Sequence, residues 1–180
     1  QELDVHSIKM PAQVYYLKYI LKMAESAAFR VASIESLVKA NIPLLVYGDN
    51  DWITSGVVPS SSFKGIIQRK ELRSLYEQSQ LNLNLNFMQV SSTVNPKVLD
   101  IAASGGRVLT DVRAELDVLY PDASIRPSGF NDVEELPGVV NSLLGDNLSS
   151  ADAGDQLRAI AERTRSHHSM QNRARWLIEH

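Results

Sequence analysis

The stretch LNLNLNFMQVSSTVNPKVLDIAASGGRVLTD, residues 81–111, decides the fold. Its first six residues alternate, placing Leu81, Leu83 and Leu85 on one face of a strand and Asn82, Asn84 and Asn86 on the other. A strand with amides on its second face is either an exposed edge or the lining of something polar. The leucines, and helical patterns on either side, argue for an interior strand whose carboxyl end at Asn86 looks into a polar ligand cleft. Asn95-Pro96 then opens a helix running to Ser104, Gly105-Gly106 stop it, and RVLT (107–110) reads as the next strand. Strand, polar loop, helix and strand in this order form a parallel crossover.

Working outward, residues 1–10 show no period and read as a linker, with Pro11 suited to the first position of a helix. From Ala12 to Ala40 there is no Gly or Pro, and Val14, Leu17, Leu21, Val31, Ile34, Leu37 and Val38 recur at helical spacing. This is one long helix, or two with a break near Ser26; Asn41 ends it and Pro43 blocks continuation. LLVYG (44–48) and FKGII (63–67) read as strands, Arg69 to Gln80 and Arg113 to Leu119 as helices, and 124–127 as a last short strand. Helices are expected over 131–144, 153–165 and 169–180. Such alternation predicts an α/β fold, a parallel sheet with helices on both faces, a long N-terminal helix and a helical C-terminal tail.

Composition sets the outer bounds. The 180 residues are 44% hydrophobic and 22% charged, ordinary values for a globular chain. A net charge of −3 argues against nucleic acid as the main partner, and no run approaches the ~20 apolar residues of a membrane span. There is no cysteine, hence no disulfide framework or thiolate metal site, and no signal-peptide layout. A cytoplasmic location is the expectation. The start at Gln1 rather than Met reads as an excised piece of a longer chain.

In parallel sheets ligands bind beyond the carboxyl ends of the strands. Four loops qualify here: GDNDW (48–52), GIIQRK (65–70), NFMQVSSTVN (86–95) and TDVRAE (110–115). The third has the best physical case, because Ser91, Ser92, Thr93 and Asn95 stand directly before a helix N-terminus, which attracts phosphate or carboxylate. Lys97 adds a full charge. The plainer account is that Asn95 only caps a surface helix. Asp100 lies between Leu99 and Ile101 and either pairs with Lys97 on the surface or faces the cleft as an acceptor for a diol such as a ribose.

The run ELRSLYEQSQLNLNLN…NPKVLDIAASGGRVLTD resembles the donor-binding half of GT-B glycosyltransferases, closest to the group 1, second type domains of spore-maturation (CgeB-like) proteins. Tyr76, Leu85-Asn86, Lys97, Asp100, Ala103, Gly105, Gly106 and Asp111 occupy the matching positions, and the resemblance covers about residues 44–180. It implies a Rossmann-like half of a GT-B fold over 43–180, preceded by a linker and helical segment over 1–42. It implies a nucleotide-sugar as donor substrate, with no further cofactor and no metal. Asp100 would hold the ribose hydroxyls, the loop Ser91–Asn95 with Lys97 and the helix amides would take the diphosphate, and residues around Gly65 and Arg69 would complete the nucleotide pocket. Tyr76 would pack. Asp100 and Lys97 stand where the family has Glu and Arg, which keeps the sign of each charge but shortens one reach and removes the guanidinium fork. The acceptor site and the base would belong to an N-terminal acceptor domain of the same chain. The alternative is a Rossmann-like binding or docking module that has lost glycosyltransferase activity.

Other features read as structural. Asp49 and Asp51 resemble the acids of a phosphoacceptor receiver, but Asn86 stands where that design needs a third Asp, so a turn backed by Trp52 is the better account. His167-His168 lack metal-ligand spacing and mark a helix boundary; in the family, a histidine here would place His168 toward an interdomain cleft. Arg158, Arg163, Arg165, Arg173 and Arg175, interspersed with acids, read as a solvated face.

Overall fold

The computed structural model describes residues 12–89, 91–145 and 151–179; the expected linker over 1–10 and the role of Pro11 lie outside them. The elements run α1 (Ala12–Lys39), β1 (Val46–Tyr47), α2 (Asp51–Thr54), β2 (Phe63–Gly65), α3 (Arg69–Gln78), β3 (Asn82–Asn84) and α4 (Pro96–Ser104). They continue with β4 (Val108–Asp111), α5 (Glu115–Leu119), β5 (Ser128–Phe130), α6 (Leu136–Gly145), α7 (Ala151–His168) and α8 (Met170–Glu179). Every strand pairing is parallel. β1 pairs with β2, and β3, β4 and β5 form a second ladder in that order. Leu83 packs against the cluster of Ile34, Val46 and Val58, and so ties the two ladders together.

Alternation along the strands sorts the core into two faces. Val108 points into a cluster with Tyr76 of α3, Val98 and Ile101 of α4, Leu116 of α5 and Ile160 of α7. Leu109 and Phe130 point the other way, to Leu37 of α1 and Leu136 and Val140 of α6, with Leu81, Leu83 and Leu85 alongside. Helices therefore cover both faces, as the alternating pattern predicts.

Several boundaries differ from the sequence expectation, each for a local reason. α1 is unbroken through Ser26, whose hydroxyl donates back to the Lys22 carbonyl instead of ending the helix. Asn41, at φ 55°, turns the chain out of α1, and its N–H donates to the Val38 carbonyl. The last strand is Ser128–Phe130, not 124–127, because Asp122 caps a 3₁₀ turn over Ala123–Ile125. α6 starts at Leu136 rather than 131, since residues 131–135 form a turn in which Asp132 accepts from the Glu135 N–H. The acidic turn after β1 contains a short helix, α2, that periodicity does not reveal.

The two glycines after α4 have different tasks. Gly105 ends the helix at φ 88°, a left-handed conformation that side chains resist. Gly106 allows close approach: a Cβ there would lie 2.6 Å from the Tyr76 carbonyl oxygen and 3.0 Å from Asn82 Nδ2. Substituting Gly106→Ala should therefore cost about 1–3 kcal/mol through overpacking against backbone. Gly138→Ala, inside α6 with nothing near the added methyl, should gain about 0.5–1 kcal/mol. Urea denaturation of the two variants checks both signs.

Candidate functional site

The asparagine face of β3 is internal. Asn82, Asn84 and Asn86 are only 9%, 3% and 1% exposed, and each amide has protein partners. Asn82 donates to the carbonyls of Tyr76 and Arg107. Asn84 donates to Thr110 Oγ1 and to Asn86 Oδ1. Asn86 donates through Nδ2 to Thr110 Oγ1 (3.0 Å) and Asp111 Oδ1 (3.0 Å), and its Oδ1 accepts from the Asn95 N–H at 2.6 Å. Asn86 thus does not open onto a cleft, which corrects the expectation for this face; its amide bridges β4 and the far end of the loop before α4. Among the described residues no buried side-chain polar atom lacks a partner, as burial of amides demands.

Asp111, at the end of β4, is the second hub. Its Oδ1 accepts from the Asn86 N–H at 2.7 Å, and its Oδ2 accepts from Arg113 Nε at 2.7 Å and Nη2 at 2.6 Å. Both side chains are nearly buried, 7% and 10% exposed. Arg113 Nη1 continues to the Ser91 carbonyl at 3.0 Å. Glu115 accepts from the Val94 N–H at 2.7 Å, while its own N–H donates to the Ser92 carbonyl. From α1, Ser26 Oγ accepts from the Met88 N–H at 2.7 Å, and the Arg30 guanidinium lies 4.4 Å from the centre of the Phe87 ring. The loop before α4 is thus held from β3, β4, α5 and α1 together.

The remaining expected site residues sit on the outside of this frame. Ser91, Ser92, Thr93, Lys97 and Asp100 are exposed, and among the described residues their hydroxyl, ammonium and carboxylate groups have no hydrogen-bond or ion-pair partner. The Lys97–Asp100 surface pair is accordingly not formed. Asn95 caps α4 by accepting from the Lys97 N–H at 3.0 Å, Pro96 has no N–H, and the Val98 N–H bonds the Asn95 carbonyl. The plain capping role is therefore real, and the first-turn amides of α4 are satisfied within the chain. Gly65, at φ 74° with open space where a Cβ would stand, ends β2, and the exposed Arg69 starts α3. No hydrogen bond or ion pair joins either residue to the loop before α4 among the described residues.

The Asp100 charge is felt by one inward group. Tyr76 is buried at the end of α3, and its phenol is pushed above the ordinary value of 10.0, mainly by burial and secondly by the Asp100 carboxylate. His168 faces inward: its ring lies edge-on to Tyr120 and its Nε2 is 3.0 Å from the Leu119 carbonyl. Asp49 accepts from the Asp51 N–H in a turn. No group of three or more acidic or histidine side chains is placed to hold a metal ion among the described residues, and no described helix is long and apolar enough to cross a membrane. Arg113 and Glu115 were not singled out from sequence. The available signal was an acid ending a buried strand with an arginine two residues on.

The arrangement is a parallel-sheet α/β fold with polar side chains presented by a tied loop at the strand ends, the edge at which such folds place their ligand sites when they have one. The family comparison makes the class specific. Residues 29–179 match the model of the Glycosyl transferase-like family, and the chain belongs to that family. Neither the curated proteins nor the solved structures gave a match.

Tyr76 supplies a pH test of this geometry. A raised folded-state pKa means the stabilisation is complete below the unfolded value of 10.0 and is lost as pH rises through the folded one. Stability should fall more steeply above pH 10 in the wild type than in Tyr76→Phe, as followed by urea denaturation from pH 8 to 11. Asp100→Asn should reduce the difference without abolishing it, since burial is the larger cause.

Proposed function

We propose that this chain is the nucleotide-sugar-binding half of a GT-B glycosyltransferase of the spore-maturation (CgeB-like) type. The observation that carries the reading is the division of the loop before α4. Its carbonyls and amides are tied inward, while Ser91, Ser92, Thr93, Lys97 and Asp100 are presented outward without partners. Family membership supports sugar transfer as the chemistry.

On this reading the Lys97 ammonium and the three hydroxyls receive the diphosphate, and Asp100 accepts hydrogen bonds from the ribose. Because the α4 amides already have partners, its N-terminus contributes through its dipole rather than through free donors. Gly65 and Arg69 border the base. Asn86 and Asn95 shape the loop from behind. Charge at Lys97 would stabilise the leaving diphosphate as negative charge develops on it.

The acceptor surface and the base are placed on a further domain of the same protein. The exposed apolar residues of the first half of α1 support this, Tyr15, Tyr16, Leu17 and Leu21 among them, because such patches mark contact surfaces. They precede residue 29, where the family match starts. A second reading, a binding module without catalysis, draws support from the satisfied α4 amides, which leave fewer donors for a transferring phosphate.

Calorimetric titration with UDP, GDP, ADP and dTDP tests the donor site. One nucleotide should bind saturably, and Lys97→Ala and Asp100→Ala should each weaken it by about tenfold or more, the scale of one charge-assisted hydrogen bond. Failure of all four with folded protein would remove the donor-site reading for this chain.

A further inference from the structure

We infer that Arg113 and Glu115 are positioning residues for the loop before α4: they hold its backbone in the conformation that presents Ser91, Ser92 and Thr93, and touch no ligand themselves. The inference rests on the donor-site reading for its effect on binding, but its structural half stands apart from it.

The argument starts from where each group is held. Arg113 is only 10% exposed, with two of its N–H groups on Asp111 Oδ2 and a third on the Ser91 carbonyl. Its charge is matched by Asp111 at 2.6 Å, so it is not a cation awaiting an anion. Its planar fork instead converts the fixed end of β4 into a fixed position for Ser91. Glu115 does the same one and three residues later, giving its own N–H to the Ser92 carbonyl and taking the Val94 N–H on its carboxylate. Asp111 is itself set by the main-chain N–H of Asn86, the residue that ends the alternating run.

Three consecutive hydroxyl side chains on an untethered loop would sample many orientations, and ordering them would fall to the ligand. With the backbone held at Ser91, Ser92, Val94 and Asn95, that cost is met at folding. A site whose contacts are held by a supporting layer binds more tightly than the same contacts on a free loop.

The geometry separates fork from charge. Lysine keeps the charge at 113 but lacks the rigid fork that spans Asp111 and Ser91. At 115, glutamine keeps an acceptor for the Val94 N–H and alanine does not.

The experiment is amide hydrogen exchange on the 180-residue chain as wild type, Arg113→Lys, Glu115→Ala and Glu115→Gln, with nucleotide titration in parallel. Exchange over residues 91–97 should accelerate at least about tenfold in Arg113→Lys and Glu115→Ala, with β4 and α7 unchanged, and Glu115→Gln should recover most of the protection. For the nucleotide that the wild type binds, affinity should fall about tenfold in the same two variants and return in Glu115→Gln. Wild-type exchange over 91–97 in both Arg113→Lys and Glu115→Ala would overturn the inference. Altered exchange with unchanged affinity would overturn its functional half. If Arg113→Lys fails to fold, the Glu115 pair decides alone. If the wild type binds none of the four nucleotides, the donor-site reading fails, while exchange still judges the positioning role.

Discussion

The structure turns on a single demand: an amide-bearing strand face enclosed under helices must find partners for every donor and acceptor. Leaving a buried polar group unpaired costs about 1–3 kcal/mol, and the face of β3 with its continuation to Asn86 carries three amides. They are satisfied by reaching across to Arg107, just before β4, to Thr110 and Asp111 of β4, and back to the end of α3 at Tyr76. The same bonds fix the carboxyl ends of these strands at Asn86 and Asp111, from which the Asn95 N–H and, through Arg113, the Ser91 carbonyl are held.

That origin explains why the loop before α4 combines a tied backbone with unpartnered side chains. Buried groups pull its carbonyls and amides inward. Arg113 is the means for Ser91, Glu115 for Ser92 and Val94, and Asn86 for Asn95. Side chains on the opposite side of such a loop have nowhere to go but solvent. The ion pair of Asp111 and Arg113 is nearly buried, so removing one partner would strand the other charge, a loss of about 3–5 kcal/mol in comparable pairs. Support for the site and stability of the fold are one network.

Membership of the glycosyl transferase-like family fits the division visible in α1. From Phe29 onward the helix supplies core, with Ile34 and Leu37 buried against the strands. Ser26 and Arg30 of the same helix reach the loop at Met88 and Phe87. Before that the helix extends past the sheet with its tyrosines and leucines exposed. One element thus joins the core, the loop and an uncovered apolar surface.

Much of this was legible in the residues alone. Period-two alternation over 81–86, the Asn95-Pro96 start and the Gly105-Gly106 stop located β3 and α4 directly, because these signals are local: pleat, cap and left-handed backbone act within a few residues. Parallel order followed from strands separated by helices. The short strand lies at Ser128–Phe130 rather than at 124–127, since Asp122 capping claims the residues that the local pattern offers to a strand. What the asparagines face was decided only by tertiary structure. Alternation tells that they share a side, but not whether that side meets water, ligand or another strand, and Thr110 and Asp111, which answer them, lie 24 to 26 residues away in the chain. The roles of Arg113 and Glu115 are hidden for the same reason: two charged residues at the start of a short helix look solvated until folding sets the strand ends side by side and makes their partners the backbone of another loop.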